Sequence, residues 1–152
     1  MKKSAGILPY RVHDGRLQVW LGRLGGPFWR KKERAWTILK GEVEEGEDLL
    51  EAAKREFFEE SGKEIEGVFV DLGEVRAGGK TNHIFAVEAP RLDTRIRSNR
   101  FKLEWPPGSG RVAEYPEIEE ARWIDLGDAR RVIVSSLAPF LDRLERIVSQ
   151  TR

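Results

Sequence analysis

The first part of the chain alternates between apolar runs of strand length and short polar breaks. Residues 4–12 and 17–24 form two such runs, and His13, Asp14 and Gly15 separate them. An Asp-Gly pair between two apolar runs is a common signal for a β-hairpin turn. We therefore expect a hairpin here. A loop opens after it at Gly25 and Gly26, passes through a basic stretch, and ends in an extended segment over 36–39.

The clearest helix signal covers residues 49–61. Asp48 is suited to cap its N-terminus, and Glu51 follows at the spacing of a capping box. Gly62 suits the left-handed conformation in which many helices end. These local signals predict both ends of the helix.

The second half of the chain predicts further strands and a closing helix. We expect strands over 68–76 and 81–88, joined by a turn at 77–79, and a strand over 121–124. Residues 89–115 are rich in Pro and Gly and predict a long irregular stretch. A helix is expected over 137–148, with one apolar face made of Leu137, Phe140, Leu141, Leu144 and Val148. Strands and helices alternate without tandem βαβ units, which predicts an α/β fold with a mixed sheet flanked by helices.

Two glutamates occupy unusual positions on the predicted helix 49–61. At about 100° per residue, its apolar stripe is formed by Leu49, Leu50, Ala53 and Phe57. Glu51 falls on the opposite, solvated side, but Glu56 and Glu60 fall at the edge of the stripe or inside it. Like charges one helical turn apart repel each other, and partial burial raises the penalty.

Such a pair needs a neutralising partner, which is either a buried network of cations or a metal ion. Lys54 and Arg55 are the cations of this helix, and on the helical wheel both point away from Glu56 and Glu60. Carboxylate oxygens at this spacing suit Mg²⁺, with Mn²⁺ as a substitute. We therefore favour a divalent metal site over an ion-pair network.

The same segment, residues 41–63, resembles the Nudix box. That pattern has a glycine, five residues, a glutamate, seven residues, Arg-Glu, an apolar residue, any residue, Glu-Glu, any residue, a glycine and an apolar residue. The matching positions are Gly41, Glu47, Arg55, Glu56, Phe57, Glu59, Glu60 and Gly62. Lys63 departs from the pattern, because an apolar residue is expected there. Residues 36–41 and 119–126 are also similar to Nudix segments, although Leu39 replaces a proline.

The resemblance implies a Nudix α/β/α sandwich over a single domain, 1–152. It implies that Glu56, Glu60 and the backbone carbonyl of Gly41 bind the metal. Glu59 would be a further ligand or would position the attacking water, and Arg55 would pair with Glu47 to brace the loop against the helix. Lys40 would contact a phosphate. By its spacing from Trp123, Glu117 is the best candidate for a base or extra ligand, ahead of Glu114 and Glu120.

Composition and charge limit the remaining possibilities. The chain has no cysteine, which excludes disulfides, thiolate metal sites and a thiol nucleophile. We see neither a signal peptide nor an apolar run long enough for a membrane span, so we expect a cytoplasmic protein. The formal net charge is only +1, which argues against a nucleic-acid partner, although residues 91–102 are locally basic.

The sequence thus predicts an Mg²⁺-dependent pyrophosphohydrolase. Its substrate would be a nucleoside diphosphate linked to another moiety, as in a nucleoside triphosphate or a dinucleoside polyphosphate. The alternative is a catalytically silent Nudix-fold module that binds a nucleotide and regulates a partner. Either a monomer or a homodimer is compatible with the sequence. The loop aromatics Phe28, Trp29, Trp105 and Tyr115 either pack or stack on a base, and His83 is expected to be structural.

Overall fold

A mixed sheet of seven strands forms the centre of the structure, a computed structural model that describes residues 2–151. Its strands are β1 (Lys2–His13), β2 (Arg16–Leu24), β3 (Trp36–Thr37), β4 (Leu39–Glu42), β5 (Phe69–Ala77), β6 (Lys80–Glu88) and β9 (Ile118–Asp125). The strand order is β3-β2-β1-β6-β5, with β4 paired to β1 and β9 paired to β2. Because β1 runs parallel to β6 and antiparallel to β2 and β4, the expected mixed sheet is confirmed.

Helices cover both faces of this sheet. One face packs against α1 (Leu49–Ser61), and the other against α2 (Leu126–Val132) and α3 (Ala138–Thr151). Trp20, Phe57 and Phe85 belong to the core beneath α1, and Phe140 and Leu141 belong to the core beneath α3. The α/β/α sandwich is therefore confirmed. Among residues 2–151, no helix is both long enough and apolar enough to cross a membrane.

The ends of α1 are those that the local sequence predicts. The side chain of Asp48 accepts a hydrogen bond from the backbone N–H of Glu51 at 3.1 Å. Gly62 ends the helix with φ of 76°, and its N–H donates to the carbonyl of Phe58 at 2.7 Å. A residue with a Cβ is strained in this left-handed region, so glycine is the residue that allows the chain to turn here.

The stretch 89–115 is not irregular throughout, and this expectation was wrong. It contains a second, two-stranded sheet made of β7 (Arg100–Glu104) and β8 (Val112–Pro116), which pair antiparallel. Polar and apolar residues alternate along β7 with the period of a strand. The prolines and glycines that suggested a loop are concentrated in the turn between the two strands.

Near the C-terminus, one strand is longer than the sequence predicts and one helix was not predicted. The strand expected over 121–124 extends over Ile118–Asp125, and α2 follows it directly without having been predicted. A single 3₁₀ turn, Ser135–Leu137, precedes α3, so the closing helix begins one residue later than expected and extends beyond 148. The helix α2 has only seven residues, too few to show a helical period in the sequence.

Candidate active site

The site forms where α1 packs against β4. Gly41 lies in β4, and a Cβ built on it would lie 2.0 Å from Oε2 of Glu56 and 2.5 Å from Oε1. These distances are far shorter than a van der Waals contact, so the carboxylate occupies the space that any larger residue would fill. The Glu56 side chain therefore lies directly against the backbone of the strand.

Glu60 lies one turn further along α1 and faces the same strand. Its carboxylate accepts a hydrogen bond from the backbone N–H of Lys40. Burial, together with the charges of Glu56 and Glu117, raises the pKa of Glu60 to about 9 against the opposing effect of Lys40. The three glutamates thus form one electrostatic group, in which ionising one carboxylate disfavours ionising its neighbours.

The other two carboxyls of this group are perturbed in the same direction. Burial raises the pKa of Glu56, and Glu59 adds to the rise while Arg55 opposes it. Burial alone raises the pKa of Glu117, which precedes β9. Raised carboxyl pKa values clustered in one place are typical of sites that bind a cation or transfer protons.

The spacing from Trp123 left three candidate carboxylates, and the structure separates them: Glu114 lies in β8, Glu117 between β8 and β9, and Glu120 within β9. Glu117 lies near Glu60, as its effect on the pKa of that residue shows. Glu114 instead lies beside Arg100 at 3.6 Å. Glu120 lies beside Arg122 at 2.7 Å. The corner between β8 and β9 brings only Glu117 toward α1.

Lys40 lies between the carboxylates and a second lysine. Burial lowers the pKa of its ammonium group, and the charge of Lys80 lowers it further, while Glu60 and Glu56 raise it. Two lysines beside a carboxylate cluster are suited to an anion that also touches a cation held by the carboxylates. The sequence did not show that Lys80 lies near Lys40, because its position depends on the pairing of β1 with β6.

Arg55 contacts four acceptors, and the expectation that it points away from Glu56 was wrong. Its guanidinium donates to Glu47 at 2.8 and 3.0 Å, to Glu59 at 3.0 Å, and to Glu56 at 3.0 Å. A fifth bond reaches the fourth acceptor, the carbonyl of Glu42, at 3.1 Å. A helical wheel gives the direction of Cβ, whereas a long side chain can bring its charged end back over its own helix.

The bonds of Arg55 have two consequences for the site. The pair with Glu47 is the brace that the resemblance implied, and it ties the loop before α1 to the helix. Arg55 also bonds both Glu59 and Glu56, whereas the carboxylates that contact β4 are those of Glu56 and Glu60. Lys54 does point away, as expected, and its ammonium bonds Glu66 at 2.9 Å.

The residues at this site fit a divalent cation. Among residues 2–151, no three His, Asp or Glu side chains form a ready-made metal cage. Mg²⁺ does not require one, because it binds one or two carboxylates and takes its other ligands from water and substrate phosphates. Glu56 against the backbone of Gly41, with Glu60 beside it, supplies hard oxygen donors and an excess of negative charge.

His83 lies in β6 and has a packing role. Its Nε2 is 2.6 Å from Oδ1 of Asp71, and its Nδ1 is 3.5 Å from Glu74. The ring also stacks on Phe85, with the centroids 5.0 Å apart. The expectation of a structural histidine agrees with these contacts, whereas the partners on β5 could not be identified before the strand register was known.

Comparison with known sequences gives one consistent result. The NUDIX domain profile matches residues 2–144 of this chain. An RNA pyrophosphohydrolase of Bartonella bacilliformis is 36% identical over 148 residues, covering 88% of this chain and 83% of that protein. An RNA pyrophosphohydrolase of Bartonella henselae is 27% identical over 153 residues, with coverage of 88% and 82%.

Solved structures share the fold. A C. elegans Ap4A hydrolase in a binary complex superposes with a TM-score of 0.63 at 20% identity, over 99% of both chains. The NUDIX domain of Shewanella oneidensis NrtR, complexed with ADP ribose, gives a TM-score of 0.69 at 13% identity, over 96% of this chain and 87% of that one. At such identities the likeness concerns the fold alone.

The contact between Gly41 and Glu56 predicts the effect of a single methyl group. Gly41→Ala places a Cβ where the Glu56 carboxylate lies, so the carboxylate must move. We expect the affinity for Mn²⁺, measured by electron paramagnetic resonance, to fall by about tenfold or more. Gly79→Ala is the matched control, because no heavy atom lies within 4 Å of its added Cβ. Equal Mn²⁺ affinities of the two variants would contradict the predicted role of this contact.

The raised pKa of Glu60 predicts that the stability of the metal-free protein depends on pH. The pKa of Glu60 is about 9 in the folded chain against 4.5 for the ordinary group. The contribution of neutral Glu60 to the stability of the fold is therefore fully present below pH 4.5, and it is lost as the pH rises through 9. We expect the Tm of the wild type in EDTA to fall across this window. Glu60→Gln is always neutral and should show a flatter profile; two parallel profiles would refute the assignment.

Proposed function

The chain belongs to the Nudix family of hydrolases, and from this premise we propose that it cleaves a phosphoanhydride bond with the help of Mg²⁺. The substrate is a nucleoside diphosphate linked to another moiety. The observation that supports this proposal most strongly is the Glu56 carboxylate packed on the backbone of Gly41, beside a Glu60 whose pKa is raised to about 9. Such a group is stable in its ionised form only when a cation is present.

We assign the metal to Glu56, Glu60 and the backbone carbonyl of Gly41. The bound cation supplies charge neutralisation at the phosphoryl oxygens, which is the main requirement of phosphoryl transfer. Glu59, held by Arg55 at 3.0 Å, is a further ligand or positions the attacking water. Mn²⁺ has the same preference for oxygen ligands and is expected to substitute.

The remaining site residues act on the substrate and on the proton. Lys40 binds a phosphate oxygen, because its ammonium lies among the carboxylates that hold the cation. Glu117 accepts the proton of the attacking water, since burial raises the pKa of its carboxyl toward the range in which a general base works at neutral pH. Arg55 and Glu47 act indirectly by fixing the loop before α1.

The names of similar proteins support particular substrates. The two Bartonella relatives are RNA pyrophosphohydrolases, and the C. elegans protein with the same fold is an Ap4A hydrolase. We therefore propose the 5′-polyphosphate end of RNA, a dinucleoside polyphosphate and a nucleoside triphosphate as the substrates to test. The RNA end comes first, because the sequence identity of 36% to the B. bacilliformis protein exceeds the 20% to the Ap4A hydrolase.

Removing one carboxylate charge tests the catalytic role. Glu56→Gln and Glu60→Gln should each lower kcat/KM by about 100-fold or more, because a catalytic metal contributes several kcal/mol of charge stabilisation. The substrates to assay in the presence of Mg²⁺ are 5′-triphosphate RNA, dinucleoside polyphosphates, nucleoside triphosphates and nucleotide sugars. The products are quantified by chromatography.

The matched control is Glu51→Gln, which changes an exposed carboxylate on the same helix. It should keep the wild-type rate. Full activity in Glu60→Gln, or no hydrolysis of any substrate by the wild type, would exclude the proposed reaction.

A further inference from the structure

The hairpin of β7 and β8, here called the arm (residues 97–117), is attached directly to the catalytic helix. The N–H of Arg97 donates to the carbonyl of Ser61 at 2.8 Å, and the N–H of Asn99 donates to the carbonyl of Glu59 at 2.9 Å. The arm returns through Glu117, whose N–H donates to the carbonyl of Asn99 at 2.9 Å. Its base therefore lies on the last turn of α1, beside the carboxylates of the candidate site.

An aromatic face of the arm packs on the loop after β2. Phe101 and Tyr115 lie opposite each other in the hairpin, with ring centroids 6.1 Å apart. The Phe101 ring comes within 3.0 Å of the position that a Cβ on Gly26 would occupy. A two-stranded hairpin is marginally stable alone, so this packing fixes the arm relative to the site.

The arm and this loop concentrate positive charge. Residues 26–32 and the arm together contain seven Lys or Arg and three acidic residues, Glu104, Glu114 and Glu117. The Glu104 carboxylate is already used, because it accepts hydrogen bonds from the N–H groups of Gly108 at 2.8 Å and Gly110 at 3.2 Å. On β8, Glu114 lies 3.6 Å from Arg100. The net charge of +1 for the whole chain does not show that positive charge is concentrated on this surface.

One exposed and two partly buried aromatic side chains lie among these cations. Phe28 is 51% exposed and meets Trp29 edge to face, with centroids 5.0 Å apart. The Lys32 ammonium lies 4.5 Å from the centroid of the Phe28 ring, and the Arg30 guanidinium lies 5.9 Å from that of Tyr115. Aromatic rings for stacking, interleaved with cations for the backbone, are the two components of surfaces that bind single-stranded nucleic acid.

We propose that the arm and residues 26–32 form a binding surface for the single-stranded part of a 5′-phosphorylated polynucleotide. This inference rests on the proposed function, because the terminal phosphates are taken to lie at the carboxylate site. Each five-residue strand of the arm spans about 17 Å, long enough to contact several nucleotides beyond the first. The low net charge argues against a nucleic-acid partner, whereas the separation of charge in the fold supports one at this surface.

Binding of oligomers of increasing length tests the surface. The probes are fluorescently labelled, 5′-monophosphorylated RNA and DNA strands of one sequence, from a dinucleotide to an octanucleotide. Their binding to the protein is measured by fluorescence anisotropy. We expect the affinity to rise with length. Stronger binding of RNA than of DNA would identify RNA as the ligand, and equal binding would identify any single strand.

Two variants identify the residues involved. Phe28→Ala should weaken octamer binding by about 5- to 150-fold, the range for loss of one stacked base. Phe58→Ala, which removes an equally exposed phenylalanine (50%) on α1, is its control. Lys102→Gln with Arg111→Gln should make the slope of log affinity against log salt shallower by about 1.4, because two phosphate contacts are lost. Arg146→Gln on α3 should leave the slope unchanged.

The outcomes separate this inference from the proposed function. Affinity independent of length, or equal effects of Phe28→Ala and Phe58→Ala, would overturn the polynucleotide surface even if nucleoside triphosphates are hydrolysed. Binding that depends on length and on Phe28, in a protein that hydrolyses nothing, would support the surface and overturn the chemistry.

Discussion

The structure of the site depends on one contact, in which the Glu56 carboxylate lies against the backbone of Gly41. This contact sets how closely α1 approaches β4, and it places Glu60 within reach of the Lys40 N–H. The core beneath α1 holds the helix in this position, because Phe57 is fully buried and packs on Trp20 with centroids 5.3 Å apart. Packing of apolar residues thus forces carboxylates into a place where they would otherwise be unfavourable.

Electrostatic interactions determine which protonation states these carboxylates favour. Burial raises the pKa values of both Glu56 and Glu60, and the charge of Glu56 adds to the rise at Glu60, so metal-free Glu60, with a pKa of about 9, favours its neutral form at neutral pH. A divalent cation reverses this preference, since it attracts both ionised carboxylates at once. Within residues 2–151, the carboxylates that Arg55 bonds are those of Glu47, Glu56 and Glu59, and that of Glu60 is not among them. The charge left at Glu60 is what the cation and Lys40 must balance.

Local signals predicted those features that depend on neighbours in the sequence. The bounds of α1 follow from Asp48 and Gly62, and the inward position of Glu56 follows from helical periodicity. The arm was missed, because prolines and glycines in its turn concealed the alternation along β7. The contacts of Arg55 and the position of Lys80 depend on side-chain reach and strand register, which the spacing of residues does not determine.

The arm adds aromatic and basic residues beside the candidate site. The sheet and α1 place the phosphate chemistry, whereas the arm and the loop at 26–32 extend the surface with aromatic and basic residues. Since the backbone of Asn99 bonds to Glu59, the substrate contacts proposed for the arm would lie next to the candidate site. Binding energy gained there can contribute to positioning the terminal phosphates.

Anomalous X-ray diffraction from crystals grown with Mn²⁺ tests the central claim most directly. We expect a peak bounded by the carboxylates of Glu56 and Glu60 and the carbonyl oxygen of Gly41, with oxygen ligands at about 2.0–2.3 Å. The same crystals of Glu60→Gln should show a weaker peak or none. An ordered Mn²⁺ elsewhere in the chain, or Glu56 and Glu60 left without the ion at saturating Mn²⁺, would contradict the assignment.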